Sequence, residues 1–262
     1  MPHRSGVPRR LTASVLAAVL LSGLTAVGCS REPKTAADVL ARSVAAHGGD
    51  RLTDWRTLEI RGNVVMQDGI AYNAAFRLLA RPSGQIRVDQ DLTADRGRAF
   101  YEYFLDDGVA WTRRNLVVSP YDAARMRRWL NHCYLVAFYA KNATELELKP
   151  DGEATPVGPA SPGEAAQMAP VPTWVVAGKV GEDAVELYIA KQDYRLLREV
   201  TPFSTRDFGA FRTFQGVVWP TRIVERTKTR QREIETPFTY TSVIYDAPID
   251  DWLFREDRPK GR

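Results

Sequence analysis

The sequence predicts a mainly β protein of the α+β type, with one curved antiparallel sheet. About ten segments between residues 58 and 245 alternate apolar and polar side chains, which is the period of a strand with one buried face. Only two segments repeat apolar residues at helical spacing. Asp107-Gly108, between two alternating segments, is typical of a tight hairpin turn. Many strands with few helices indicate a single sheet on which the helices pack.

The N-terminal segment predicts export and a lipid anchor. Three arginines precede an apolar run from Leu11 to Val27, which is too short to cross a membrane comfortably. The run ends on small residues before Cys29, and it resembles the lipobox of bacterial lipoproteins. That resemblance implies cleavage of residues 1–28, a diacylglyceryl group on Cys29, and a lipidated tether at residues 29–34. The alternative is an ordinary cleaved signal peptide with an incidental cysteine.

Charge and cysteine content exclude some classes of protein. The chain has 36 Lys+Arg and 32 Asp+Glu, a net charge of +4. Residues 1–28 contain three arginines and no acidic residue, so the mature chain carries only +1 and gives little support to nucleic-acid binding. After lipidation of Cys29, Cys133 is the only free thiol, so no intramolecular disulfide can form and the apolar core must stabilise the fold.

The first elements of the mature chain are a helix and an amphipathic strand. Thr35 and Asp38 form a capping box, and Gly48-Gly49 ends the helix. In the strand that follows, alternate residues share one face, which places Leu58, Ile60, Val64 and Met66 together.

A second helix is predicted at residues 120–139, with Ser119 as its cap and Pro120 in its first turn. Its apolar stripe includes Trp129, Cys133 and Phe138. Residues 151–172 are rich in Pro, Gly and Ala without a sustained apolar period, which predicts a mobile surface loop inside the domain. Strands then resume and continue almost to the C-terminus.

The order of several loose motifs resembles the outer-membrane lipoprotein-sorting-protein-like superfamily, which includes a periplasmic lipoprotein carrier and its outer-membrane acceptor. The motifs are "AAHGG", "LTDWRTLEIRGNV", "LYIAKQDYRLLREV", "FRTFQGVVWPTRIVE" and "YDAPIDDWLF". The resemblance covers residues 35–256 and leaves a polar tail at residues 257–262. It implies an unclosed β half-barrel whose concave apolar face is covered by helices and holds acyl chains.

The sequence lacks the residue patterns of an enzyme. His47 ends a helix, where the helix dipole favours an imidazole, and His132 and Cys133 are adjacent, so their side chains point about 100° apart on a helix. Asp106-Asp107 precedes a turn glycine and is explained by turn chemistry. We therefore predict no catalytic residues, no metal site and no cofactor.

Two groups of residues are candidates for lipid contact. The large apolar side chains that would line the concave face either fill it or contact a ligand, and the sequence does not separate these cases. These candidates are Leu58, Ile60, Val64, Met66, Phe76, Val88, Trp111, Trp129, Phe138, Trp174 and Trp219. In "RTKTRQRE" the cations alternate, which indicates either a charged edge strand or a strip for anionic headgroups. These cations are Arg226, Lys228, Arg230 and Arg232.

The sequence therefore predicts a lipid-anchored periplasmic protein that carries or accepts an acyl chain or another amphiphile. Its partners would be lipid or lipoprotein acyl chains, the membrane through its anchor, and other envelope proteins. Ser30 rather than aspartate follows Cys29, so the resemblance to sorted lipoproteins implies the periplasmic face of the outer membrane. The alternative is an envelope interaction or stress-sensor module in which the same fold is filled by its own side chains.

Overall fold

One antiparallel sheet of thirteen strands organises the part of the chain that the structure describes. The computed structural model describes residues 32–68, 70–92, 99–158, 168–229 and 232–259. The predicted signal peptide, Cys29, the first residues of the tether and Arg230 lie outside these ranges. The strands are β1 (Leu58–Asp68), β2 (Ile70–Arg81), β3 (Gln85–Asp91), β4 (Phe100–Asp106), β5 (Val109–Arg114), β6 (Val117–Pro120), β7 (Thr144–Ala154), β8 (Val171–Val180), β9 (Asp183–Ala190), β10 (Leu196–Val200), β11 (Ser204–Phe214), β12 (Val217–Lys228) and β13 (Glu233–Tyr245).

The strand order shows how the two halves of the chain meet. Strands β1 to β6 form one meander and β7 to β13 another, and they join where β1 pairs with β13. Strands β6 and β7 are the two edges of the sheet, so the sheet is not closed into a barrel. This agrees with the unclosed half-barrel predicted from the sequence. The strands outnumber the predicted ten because tight turns divide some predicted segments, as the turn at Gln215-Gly216 does.

Three α-helices lie in the described residues: α1 (Ala36–His47), α2 (Ala123–His132) and α3 (Val136–Asn142). Helix α1 begins with the predicted capping box and ends at Gly48. The prediction of a single helix at residues 120–139 is wrong, because the structure has two shorter helices there. Pro120 ends β6 by pairing with Trp111, and Asp122 caps α2 by accepting hydrogen bonds from two backbone N–H groups. Leu135 has φ 47°, which no α-helix contains, and so it separates α2 from α3.

The helices cover one face of the sheet, which we call the inner face. Helix α1 packs on β7, β8 and β12 and against α3, whereas α2 packs on β3, β4 and β5. The main apolar core lies between these layers, and it contains side chains from α1, α2, α3 and nearly every strand. None of the described helices is long and apolar enough to span a bilayer.

The opposite, outer face is covered at one end by the C-terminal segment. A 3₁₀ turn at Asp251–Phe254 places Phe254 in full burial beneath the chain. Beyond it, Glu256 accepts hydrogen bonds from Arg87 and Arg113, and Arg258 donates to Asp106 at 2.6 Å. The described part of the predicted polar tail therefore packs on the sheet.

Residues 159–167 of the loop predicted at 151–172 lie outside the described residues, and strands occupy the two ends of the predicted range. Strand β7 continues to Ala154 and β8 begins at Val171. Val157 forms a parallel bridge with Gly209 of β11, and its backbone N–H donates to the carbonyl oxygen of Phe208 at 3.2 Å.

Candidate functional site

A small cavity lies between the inner face and the junction of α2 and α3. It has a volume of about 10 Å³, roughly the space that one water molecule requires. Sheet and helix side chains enclose it together, and most of them are apolar. The lining residues are Ile60, Leu78, Trp129, His132, Cys133, Leu135, Arg206, Trp219, Ile223 and Tyr240. At this point of the inner face the side chains of the protein therefore leave little free space.

The aromatic rings of Trp129, Trp219 and Tyr240 line the cavity, and further aromatic rings pack against them. Trp129 of α2 stacks on Phe76 of β2, with ring centroids 5.7 Å apart, and meets Phe238 edge-on at the same distance. Tyr240 also stacks on Phe76, with ring centroids 5.9 Å apart. Trp219 donates its indole N–H to the hydroxyl of Tyr245 at 2.5 Å. These rings are large, rigid and apolar, which suits contact with hydrocarbon.

A buried ion pair interrupts this apolar surface. Glu199 of β10 and Arg206 of β11 are direct partners in the ladder, so their side chains share the inner face. The closest charged atoms, Nη1 of Arg206 and Oε2 of Glu199, are 4.0 Å apart. His132 at the end of α2 places Nε2 3.6 Å from the other carboxylate oxygen of Glu199. His132 therefore brings the C-terminal end of α2 close to this ion pair on the sheet.

The buried groups differ in protonation because their surroundings differ. Burial lowers the pKa of His132, since the charged imidazole would lose its hydration, and Arg206 lowers it further. Burial alone would raise the pKa of Glu199, but the nearby polar groups of His132 and Tyr139 and the charge of Arg206 lower it to about 2. At neutral pH the cluster therefore holds an ionised carboxylate, a guanidinium and a neutral imidazole.

Arg206 has an unsatisfied donor in this cluster. Its side chain is almost fully buried, and its Nε–H has no hydrogen-bond partner among the described residues. The guanidinium also lies over the ring of Phe208, 5.3 Å from the centroid. A buried N–H without an acceptor is costly, and among the residues that line the cavity this N–H belongs to Arg206.

Cys133 also lines the cavity, and its thiol is inert. Burial raises the pKa of Cys133 to about 12, so the thiolate is absent at neutral pH. Its Sγ lies 3.5 Å from the carbonyl oxygen of Trp129. This agrees with the prediction of a buried structural cysteine. Within the described residues, no group of three or more potential metal ligands is close enough to hold an ion.

The apolar candidates predicted from the sequence lie at different depths. Ile60, Trp129 and Trp219 line the cavity. Others belong to the same core without lining it, and Met66 and Phe138 are partly buried against that core. The core members are Leu58, Val64, Phe76, Val88 and Trp174. Their contact with a ligand stays a prediction.

The assignment of Trp111 to the concave face is wrong. Trp111 stacks on Phe104, its partner in the ladder, at 5.0 Å between ring centroids. Its indole N–H donates to the carbonyl oxygen of Glu256 in the C-terminal segment at 3.2 Å. Trp111 is fully buried, but the segment that covers it is the C-terminal segment on the outer face.

The basic segment at residues 226–232 does not form one strand. Strand β12 ends at Lys228, which pairs with Glu233 at the start of β13, and Arg230 lies outside the described residues. Because β12 lies between β11 and β13, it is not the edge strand considered from the sequence. Arg226 forms ion pairs with Asp207 and Glu235, which leaves Lys228 and Arg232 as the described cations more exposed to solvent.

His47 has a structural position away from the cavity. Its Nε2 accepts a hydrogen bond from the backbone N–H of Leu196 at 3.1 Å, so Nδ1 carries the proton and donates to the carbonyl oxygen of Val218 at 2.7 Å. Helix α1 is thereby fixed to β10 and β12. Burial lowers the pKa of His47 below its usual value, although the sequence favoured a helix-end imidazole with partial charge.

Sequence reasoning missed several lining residues. Arg206 and Glu199 lie in strands that were predicted, but their pairing depends on the register of β10 against β11. Leu78, Ile223 and Tyr240 follow the alternation of their strands and could have been found from it. Leu135 gives no signal in the sequence, since a leucine with positive φ is rare.

Solved structures from three bacteria share this fold. A LolA superfamily protein from Nitrosomonas europaea has a TM-score of 0.54 at 13% identity, over 85% of this chain and 98% of that one. A DUF1329 family protein from Desulfovibrio piger gives 0.53 at 12% identity, over 85% and 98%. A domain assigned to outer membrane lipoprotein-sorting proteins in Vibrio parahaemolyticus gives 0.52 at 9% identity, over 83% and 95%.

These likenesses confirm the suspected fold and concern the fold alone. No protein-family model matches the sequence, and no curated protein matches it. The chain thus has the half-barrel of LolA-superfamily and lipoprotein-sorting domains.

Proposed function

We propose that this protein is a lipid-anchored envelope protein that binds the acyl chain of a lipid or lipoprotein against the inner face of its half-barrel. The observation that carries the proposal is the largely apolar cavity enclosed beneath the junction of α2 and α3. The likeness in fold to LolA-superfamily and lipoprotein-sorting domains supports the same class of ligand. The protein would act as a carrier or an acceptor, without catalysis.

Opening requires movement of α2 and α3, because the closed cavity holds only about 10 Å³. Leu135 joins these helices with a strained positive φ and also lines the cavity. An acyl chain that entered here would displace Leu135 and Trp129 from the sheet. Each methylene transferred from water would contribute about 0.8 kcal/mol.

Native mass spectrometry after gentle extraction tests the proposal. The chain with Cys29→Ala carries no covalent lipid, so any added mass reports a bound amphiphile. Leu78→Phe fills the cavity and should reduce the bound fraction several-fold, whereas Leu79→Phe changes a buried residue whose side chain points to the opposite face. If the Cys29→Ala protein with Leu78 unchanged yields only apoprotein under all loading conditions, the carrier proposal is wrong.

The small cavity favours a second candidate, an envelope interaction module in which side chains fill the fold permanently. This candidate predicts no bound lipid and no effect of Leu78→Phe on lipid recovery. It also predicts that envelope proteins copurify equally with the Leu78→Phe and Leu79→Phe variants.

Anchoring is tested separately, since Cys29 lies outside the described residues. Cells grown with labelled palmitate should label the wild-type protein but not Cys29→Ala. If neither is labelled, the lipobox interpretation is wrong. The proposed location on the periplasmic face of the outer membrane predicts that Ser30→Asp moves the protein to inner-membrane fractions on a density gradient.

A further inference from the structure

Arg206 has one donor that nothing in the described structure uses. Its Nε–H is buried without an acceptor, and its side chain lines the cavity that the proposed function assigns to the ligand. A donor in this position calls for an acceptor that enters with the ligand. The chemistry of that acceptor can be inferred from the charges around Arg206.

Carboxylates flank Arg206 on both neighbouring strands. Glu199 is its ladder partner on β10, and Glu225 is its partner on β12. The neutral imidazole of His132 adds no positive charge. The guanidinium charge is therefore already balanced within the protein. An anionic ligand group would meet two carboxylates and only one cation, and its burial would be strongly unfavourable.

We propose that the Nε–H of Arg206 donates a hydrogen bond to a neutral ester carbonyl oxygen at the head of a bound acyl chain, so that the cavity accepts acyl esters and rejects free fatty acids. The inference rests on the proposed function and specifies its ligand class. The carbonyl satisfies the donor without adding charge, and the attached hydrocarbon lies against the aromatic rings of Trp129, Trp219 and Tyr240. An ether-linked chain has the same length and no charge but lacks the carbonyl acceptor.

Quenching of tryptophan fluorescence measures this selectivity directly, because Trp129 and Trp219 line the cavity. Three probes with the same brominated chain are titrated into the full chain carrying Cys29→Ala: a glycerol monoester, the matching glycerol monoether, and the free acid at pH 8. We expect the ester to bind about tenfold more tightly than the ether and than the acid, which is the usual worth of a hydrogen bond from a charged donor.

The variants isolate the donor. Arg206→Met combined with Glu199→Met removes the ion pair as a unit, and the partly exposed Glu225 is then the one carboxylate left of the two that flank Arg206. In this double variant the ester should bind no better than the ether. Arg206→Lys keeps the charge without an Nε–H and should also lose the preference. Arg198→Lys is the matched control, since Arg198 is next to Glu199 but pairs with Asp207, at the neighbouring ladder position.

The outcomes separate this inference from the proposed function. Equal binding of ester and ether, or tightest binding of the acid, overturns the ester assignment while leaving acyl-chain binding intact. A preference for ester that survives in both Arg206 variants overturns the role of Arg206. If no probe quenches the folded protein, the proposed function fails and this inference fails with it.

Discussion

Buried histidines make the stability of this protein sensitive to mild acid. His47 is the clearer case, because both ring nitrogens are used in the neutral form: Nδ1 donates to Val218 and Nε2 accepts from Leu196. Protonation of Nε2 would place a second donor against the Leu196 N–H. The nearest charges that act on the ring, Arg195 and Asp193, have opposite effects on its pKa, so burial decides the direction.

The size of the effect follows from proton linkage. The pKa of His47 is lowered on folding from 6.5, so its stabilising contribution is complete above pH 6.5 and is lost as the pH falls towards the folded value. At pH 5.5 the loss reaches up to about 1.4 kcal/mol, since the unfolded chain then binds nearly one extra proton. His132 has its pKa lowered by the same cause and can contribute a similar amount.

Urea unfolding between pH 7.5 and 5.5 measures this loss in the wild-type and His47→Gln proteins. The variant loses hydrogen bonds of the imidazole, so we expect a free energy of unfolding lower by about 1–3 kcal/mol at pH 7.5. Its pH dependence should nevertheless be weaker by one proton. His132→Gln serves as a second, independent measurement. If His47→Gln and the wild type show parallel pH dependence, the buried neutral imidazole is not the cause.

Three further changes have defined expectations. Leu116 is 88% exposed and has φ 75°, and it follows Asn115 in a hairpin turn of the type that favours Asn-Gly. Leu116→Gly should therefore raise the free energy of unfolding by about 1 kcal/mol and shift the urea midpoint upward. A lower midpoint would refute the strain argument. Cys133→Ala should cost about 1 kcal/mol and leave lipid recovery unchanged, whereas a folded but inactive variant would restore a role for the thiol. Gly62→Ala would place a Cβ 2.0 Å from the carbonyl oxygen of Thr239, so we expect a loss of about 2 kcal/mol at the β1–β13 junction, and unchanged stability would contradict that register.

The sheet was predictable because its signals are local. Alternation of side chains gave the strands, and Asp107-Gly108 gave a hairpin whose two turn residues indeed have positive φ. The pairing of β1 with β13 was not predictable, since it joins residues far apart in the sequence. The prediction of one helix at residues 120–139 was wrong for a different reason. A sustained apolar stripe continues across Leu135, although the backbone breaks there.

The candidate site was less predictable than the fold. Apolar lining residues follow from strand alternation, but the face that an aromatic ring occupies depends on which segment covers it, as Trp111 demonstrates. The Arg206–Glu199 pair depends on register, which a charge pattern within one strand does not encode. The sequence alone does not distinguish a buried arginine from a solvated one. Their difference appears only when the neighbouring strands are in place.

The closed cavity bears directly on how a carrier could release its ligand. A sixteen-carbon chain contains about 15 methylene and methyl groups, worth roughly 12 kcal/mol when all of them leave water. To admit it, the protein must first expose lid residues such as Met126, Trp129 and Leu130, each worth about 1.5–3 kcal/mol when buried. Under the proposed function, α2 and the ligand would thus compete for the same sheet surface, and the difference between their burial free energies would set the affinity. An empty half-barrel that closes on itself would hold its ligand less tightly than a preformed pocket, and that weaker binding is what transfer to a membrane or an acceptor requires.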